Sequence, residues 1–197
     1  MTVPSAKSPA FSVLTICGLD ELERHSARGV THVLSILDPG WPEPPPFAAF
    51  EPHRRETLYF DDAIEPSARM VLPERSDIEK ILAFGSELGD DLGHLLIHCH
   101  AGISRSTAAM TMILAQAFPG EDEGAIVERL LQVRPQAWPN SLMIGFADEL
   151  LGRGGRLTKA VNEIYPRRLA AQPELAEALR RLGRGREVDI GLGARLR

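Results

Sequence analysis

Leu95-Leu96-Ile97-His98-Cys99-His100-Ala101-Gly102-Ile103-Ser104-Arg105-Ser106-Thr107 is the stretch on which the reading of this chain turns. Leu95 to His98 is a compact apolar run of the kind that forms a strand buried on both faces. From Arg105 to Phe118 the residues are mostly apolar and long enough for a buried helix. Only a cysteine and five residues separate the strand from that arginine. A strand that passes so directly into a helix belongs to a layered α/β domain. It leaves Cys99 at the carboxyl edge of the sheet, where open α/β sheets collect their ligands.

Each residue of the turn has a chemical reason. Residues 100 to 105 can curl so that successive backbone N–H groups point inward, forming a nest for a tetrahedral anion at a helix N-terminus. Gly102 permits a backbone conformation that a side chain would resist. Arg105 adds a planar fork able to grip two anion oxygens at once, which Lys would not match. The same positive field acts on sulfur. A free thiol titrates at about 8.5, and helix N-termini with nearby cations bring it to about 3.5–7.5, so Cys99 is expected to be a thiolate nucleophile. Ser106 is placed to donate a hydrogen bond to that sulfur, and His98 to orient the loop from behind. A cysteine after a buried strand is commonly just a small hydrophobe. What distinguishes Cys99 is that Gly102, Arg105 and Ser106 stand in register with it.

Away from this segment, Phe11 to Cys17 has strand character and Gly18 stops it. Leu19 to Arg28 reads as a short helix closed by Gly29, with Leu19 and Leu22 inward. Val33 to Leu37 is a strand-length run ended by the turn signal Asp38-Pro39-Gly40. The proline-crowded Trp41 to Phe50 leads to a third run, Thr57 to Phe60, which ends at Asp61-Asp62. Ser76 to Leu88 is helical, with Ile78, Ile81, Leu82 and Leu88 on one side, a capping box from Ser76 and Glu79, and a stop at Gly89. Glu121 to Val133 and Ser141 to Leu151 are two further helices, the latter capped by Asn140. The expected fold is therefore α/β: a mostly parallel sheet of four to five strands flanked by helices, with an anion-binding loop between strand and helix. Residues 1–153 are expected to form the catalytic domain. Residues 154–197 are expected to form a C-terminal helical extension and flexible tail, with a helix over Pro173 to Leu182 and the tail from Arg184 to Arg197.

Composition narrows the possibilities. The 197 residues include 44% apolar side chains, enough for a core, and the net charge of -5 disfavours nucleic acid as a partner. The only two cysteines, Cys17 and Cys99, suit a reducing cytoplasm rather than a disulfide scaffold. Met1 to Pro9 lacks the basic-then-apolar pattern of a secretory signal, and no apolar run is long enough to span a bilayer. A soluble, intracellular protein is expected. No Cys or His pair outside this cluster has metal-ligand spacing, so neither metal nor other cofactor is expected.

The loop resembles the active-site loop of the protein tyrosine phosphatase superfamily, in particular its compact dual-specificity-like branch. The His-Cys-x5-Arg-Ser/Thr pattern is matched at His98, Cys99, Gly102, Arg105 and Ser106. In element order the resemblance covers roughly residues 10 to 152, including Val33 to Leu37 as an early core strand and Pro139-Asn140 before a helix. It implies a phosphate monoester hydrolase with Cys99, Arg105, Asp62 and Ser106 catalytic, and with His100, Ala101, Gly102, Ile103, Ser104 and Arg105 binding the phosphate.

Cleavage releases an oxyanion that needs a proton, and the resemblance places an Asp for this after a short upstream strand. Aligning Leu58-Tyr59-Phe60-Asp61-Asp62 with the branch's pattern puts Asp62 in the acid role, with Asp61 the alternative. Both aspartates could instead simply end the strand. Adjacent acids are expected to raise each other's pKa, as a proton donor requires. Relatives that act on inositol phosphates usually carry Lys among the five loop residues. None is present here, which favours phosphotyrosine in a protein or peptide, with phosphoserine and phosphothreonine next. Trp41, Phe47 and Phe50 either wall the pocket or plug the rim of the core. His53-Arg54-Arg55 either attracts acids flanking the phosphoresidue or, by default, is a solvated charge run, and Arg134 is open to the same two readings. Two other readings stand beside this one: a non-catalytic phosphate-binding module, and a rhodanese-like sulfurtransferase.

Overall fold

The computed structural model of the chain describes residues 11–87 and 93–193. Among these, four strands form one sheet: β1 (Phe11–Cys17), β2 (His32–Leu37), β3 (Arg54–Tyr59) and β4 (Gly93–His98). Their spatial order is β1-β4-β2-β3, and every pairing is parallel. All six residues of β4 are buried, as are the last five of β2. Strands covered on both faces must be apolar throughout rather than alternating, and this accounts for the continuous runs in the sequence.

The helices are α1 (Arg75–Glu87), α2 (Arg105–Ala117), α3 (Glu123–Val133), α4 (Ser141–Leu150), α5 (Arg156–Asn162), α6 (Ile164–Ala171), α7 (Leu175–Arg181) and α8 (Gly185–Gly191). Short 3-10 turns occupy Leu19–His25 and Pro45–Ala49. Helix α2 is buried over Arg105 to Ala115 on every side, the pattern of a central rather than a surface helix. The main core joins Leu34, Ile36, Leu95 and Ile97 of the sheet to Ile78 and Ile81 of α1, Met110 and Met112 of α2, and Leu130 of α3. A smaller cluster under the opposite face holds Cys17, Leu22, Val33, Phe47 and Leu96. Among the described residues no helix is long and apolar enough to cross a membrane.

Several local expectations are corrected. Leu19–His25 is a 3-10 turn rather than an α-helix, and its Leu22 is buried. Helix α1 begins at Arg75, one residue before the expected start. The Ser76–Glu79 capping box does not form; the Asp77 carboxylate accepts from the Glu74 amide at 2.9 Å instead. Leu88 and Gly89 lie outside the described residues. Asn140 caps α4 as expected, accepting from the amides of Leu142 and Met143 at 3.1 Å each.

The largest correction concerns the C-terminal residues. Helices α5 and α6 were not anticipated, and the expected flexible tail is, over 185–191, the helix α8. Arg184 is 2% exposed and Glu187 0%. Val188 joins the main core, and Tyr165 of α6 stacks on Trp138 with ring centroids 4.6 Å apart. The segment reads as a tail because it is rich in glycine and arginine. Arg184 is nevertheless buried, because it pairs with Asp62 after β3 and with Glu187 of α8.

Candidate active site

Because the strands are all parallel, their four exits lie along one edge of the sheet. Gly18 follows β1, Asp38 follows β2, Phe60-Asp61-Asp62 follow β3 and Cys99 follows β4. Strand pairing sets Ser35 beside His98 and Cys17 on the other side of it. Residues far apart in sequence are thus delivered to one place.

The loop after Cys99 can be read from where its carbonyls go. The His100 carbonyl accepts from the Leu19 amide at 2.9 Å, and the Ile103 carbonyl from the Trp138 amide at 2.9 Å. Arg134 donates to the carbonyls of Gly102 at 2.9 Å and Ala101 at 3.3 Å. The Ser104 carbonyl takes the Ala108 amide and the Thr107 hydroxyl, each at 2.9 Å. Five successive carbonyls are therefore engaged away from the loop's centre, whereas the amides of residues 100 to 104 have no acceptor among the described residues. That is the arrangement of an anion nest. Gly102 makes the curl possible. Its φ is +67°, and a Cβ there would lie 2.6 Å from the Gly18 nitrogen.

Cys99 is 2% exposed, and its sulfur lies 3.2 Å from the Ser106 hydroxyl. Behind it, His98 Nε2 is 2.7 Å from the Ser35 hydroxyl, which also accepts from Arg55 Nε at 2.9 Å. Burial, reinforced by the nearby Arg55 charge, pushes the His98 imidazole down to about 3, so it is neutral and buttresses the loop. Burial pushes the Cys17 thiol up to about 12, with Glu21 adding to the effect. Cys17 is an inert packing residue of the first strand.

Arg105 is 3% exposed. Its Nη1 donates to Asp38 Oδ1 at 2.7 Å and to the Phe60 carbonyl at 2.6 Å. Nε is buried and has no partner among the described residues. The guanidinium is thus tethered by one nitrogen, and its buried Nε is unspent. Asp38, read from sequence only as a turn residue, is the tether; its position at a strand exit was the available signal. His100 Nε2 accepts from the Asp38 amide at 3.2 Å, and its ring meets that of Trp41 edge-on at 4.3 Å. Burial lowers the His100 pKa, with the Arg105 charge also opposing protonation and Asp38 only partly offsetting both.

Asp61 and Asp62 part company. Asp61 is committed to Val71, accepting from its amide at 2.6 Å and donating its own amide to the Val71 carbonyl at 2.7 Å. Asp62 turns to the loop, where its Oδ1 accepts from Ser104 Oγ at 2.7 Å, Asn140 Nδ2 at 2.9 Å and Arg184 Nη1 at 2.9 Å. Burial alone would push its carboxyl up. Arg184 and then Arg105, with the bonds from Ser104 and Asn140, outweigh burial and hold it below the ordinary carboxylate range. The expectation that neighbouring acids raise the Asp62 pKa is therefore corrected.

The remaining residues sort by contact. Trp41 is 42% exposed at the mouth, whereas Phe47 is buried against His98 and Phe50 and plugs the rim. Arg55 is not a solvated charge: it stacks on Phe47 at 3.9 Å and pairs with Glu43. Arg134 and Arg184 are the site residues that sequence reasoning left unplaced. Among the described residues no group of three or more His, Cys, Asp or Glu side chains is arranged to hold a metal ion.

No family model matches the sequence, and no curated protein sequence matches it. Solved structures do. Human DUSP28 superposes with a TM-score of 0.53 at 17% identity, covering 74% of this chain and 96% of that one. The Cydia pomonella PTP-2 phosphatase gives 0.53 at 17% identity, with coverage of 70% and 85%. A human tyrosine phosphatase-like serine/threonine/tyrosine-interacting protein gives 0.51 at 19%, with coverage of 74% and 93%. The parallel four-stranded sheet, its flanking helices and these superpositions together establish that the chain has the fold of the compact, dual-specificity-like tyrosine phosphatases.

Proposed function

We propose that the protein is a cysteine-dependent phosphatase that hydrolyses phosphate monoesters on protein side chains, phosphotyrosine first. The observation that carries the reading is the loop's hydrogen-bond pattern: the carbonyls of residues 100 to 104 are taken from outside, and their amides are left for a bound anion beside Cys99. The substrate phosphate sits in this nest, with two oxygens on the free edge of Arg105. The Cys99 thiolate attacks phosphorus; the S–P bond forms as the bond to the leaving oxygen breaks, and Asp62 in its protonated form gives that oxygen its proton. Water then attacks the phosphocysteine and yields a proton to the Asp62 carboxylate. The S–P bond breaks, and Ser106 donates to the departing thiolate.

Charge supports a single phosphate group. His100 is held neutral, and Arg184 is engaged by Asp62 and Glu187, so a polyphosphorylated ring would find no second free cation in the loop. Trp41, exposed beside His100, offers a face for a phenyl ring. Hydrolysis of para-nitrophenyl phosphate, insensitive to chelators, inhibited by vanadate and abolished in Cys99→Ser, tests the reaction. Phosphotyrosine, phosphoserine and phosphothreonine peptides beside inositol phosphates test the substrate class. Vanadate binding without turnover would replace this reading by the non-catalytic module, and faster turnover of thiosulfate would replace it by the sulfurtransferase.

A further inference from the structure

We propose that Arg184 is a positioning residue of the catalytic site, which clamps Asp62 onto the phosphate loop and makes the C-terminal helix α8 part of the active machinery. Arg184 Nη1 reaches both Asp62 Oδ1, at 2.9 Å, and Ser104 Oγ, at 2.7 Å. One nitrogen thus joins the upstream acid to the loop, and Ser104 closes the triangle by donating to Asp62 at 2.7 Å. The other side of the guanidinium is held by Glu187, which accepts from Nε at 2.9 Å and from Nη2 at 2.8 Å. Glu187 is itself fixed to the catalytic body, accepting from Trp138 Nε1 at 2.6 Å and from the Ser141 amide at 2.8 Å. The chain of contacts therefore runs from α8 through a fully buried ion pair to the acid.

A buried pair of this kind is a poor source of stability, since desolvation cancels much of the attraction. Its geometry is suited instead to holding one carboxylate in one orientation. The charged and titratable groups around Asp62 are Arg184 and Glu187 from the C-terminal segment, Arg105 at the head of α2, His100 in the loop, Tyr165 on α6, and its neighbour Asp61. Arg184 is the strongest of these in holding Asp62 ionised. In the resting protein the carboxylate is thus aimed but unprotonated, and activity that needs the protonated acid declines early on the alkaline side.

The inference rests on the phosphatase reading only for the role of Asp62 as acid; the tests of the clamp itself need no turnover. Carbon-detected titration of the Asp62 carboxyl in the full chain is expected to show its pKa rising by about one unit or more in Arg184→Gln. Because that variant leaves Glu187 buried and unpaired, Arg184→Gln/Glu187→Gln is measured beside it, removing both charges together. Where the protein hydrolyses alkyl phosphates, whose poor leaving group needs the acid, the alkaline limb of kcat is expected to move up with the Asp62 titration, and kcat to fall about tenfold while KM holds. The reciprocal arm leaves the buried pair intact: Asp62→Asn is expected to speed amide exchange in α8 about fivefold or more. An Asp62 titration unchanged in either folded variant overturns the proposal, as does unchanged exchange in Asp62→Asn. Absent hydrolysis, or hydrolysis surviving Cys99→Ser, would instead overturn the phosphatase reading and leave these two measurements to decide the clamp.

Discussion

Arg134 Nε lies 2.9 Å from the Gly102 carbonyl, so the residue that caps the end of α3 holds the loop after Cys99 from outside. Its guanidinium also meets Glu21 at 2.8 Å, and Glu21 in turn accepts from the Gly18 amide at 2.8 Å. Loop, first strand exit and third helix are tied through one side chain. Arg134→Met is expected to lower kcat/KM about tenfold or more, since an unbraced loop turns its amides less well on the transition state. Vanadate affinity should fall with it, and comparing the two in wild type and variant checks the claim. Full activity with normal vanadate binding would show that the brace is dispensable.

Gly102 is the second mechanical point. A side chain there faces both a left-handed backbone and the Cys17–Gly18 peptide. Gly102→Ala is expected to destabilise by about 1–3 kcal/mol from the backbone alone and to abolish vanadate binding. Gly120→Ala, where an added Cβ meets nothing within 4 Å, is the matched control and should leave both properties unchanged. Urea melts and vanadate titration of the two variants make the comparison.

The two aspartates should separate by leaving group. Asp62→Asn is expected to slow hydrolysis of alkyl phosphates about 100-fold or more while sparing activated aryl esters, the mark of a lost proton donor. Asp61→Asn, whose partner is Val71 rather than the loop, should reduce both rates little and equally. Rates plotted against leaving-group pKa for the two variants decide the assignment. The reverse pattern would move the acid to Asp61.

His98 makes stability depend on pH in a definite direction. Its folded pKa is about 3 against an ordinary 6.5. Between these values the unfolded chain binds a proton that the folded chain refuses, so stability is full above the upper value and is lost as pH falls through the window. Urea melts at about pH 7.5 and about pH 4.5 are expected to differ by about 3 kcal/mol more in wild type than in His98→Gln. Equal differences would mean that His98 is protonated in the fold.

Much of this site was legible in the order of residues. The run Leu95 to Ser106 prescribes strand, turn and helix through purely local requirements: an apolar stretch of strand length, a glycine where φ must be positive, and an arginine at a helix start. Asn140 as a cap was readable for the same reason, because capping is settled within three residues. Asp38 was visible only as a turn former. Its bond to Arg105 depends on β2 lying beside β4, and that adjacency is a property of the sheet.

Local chemistry along the chain thus specified the nest, its glycine and its candidate nucleophile, since each of these depends on neighbours a few residues away. Choosing Asp62 over Asp61 as the carboxylate that faces the loop, and turning Arg184 from a solvated tail residue into its buried partner, required the folded molecule. The physical reason is that a charge's environment is set by what lies around it in space. The groups that hold Arg184 and its partner Glu187 come from positions 62, 104, 138 and 141, which meet the C-terminal segment only after the sheet and helices have packed.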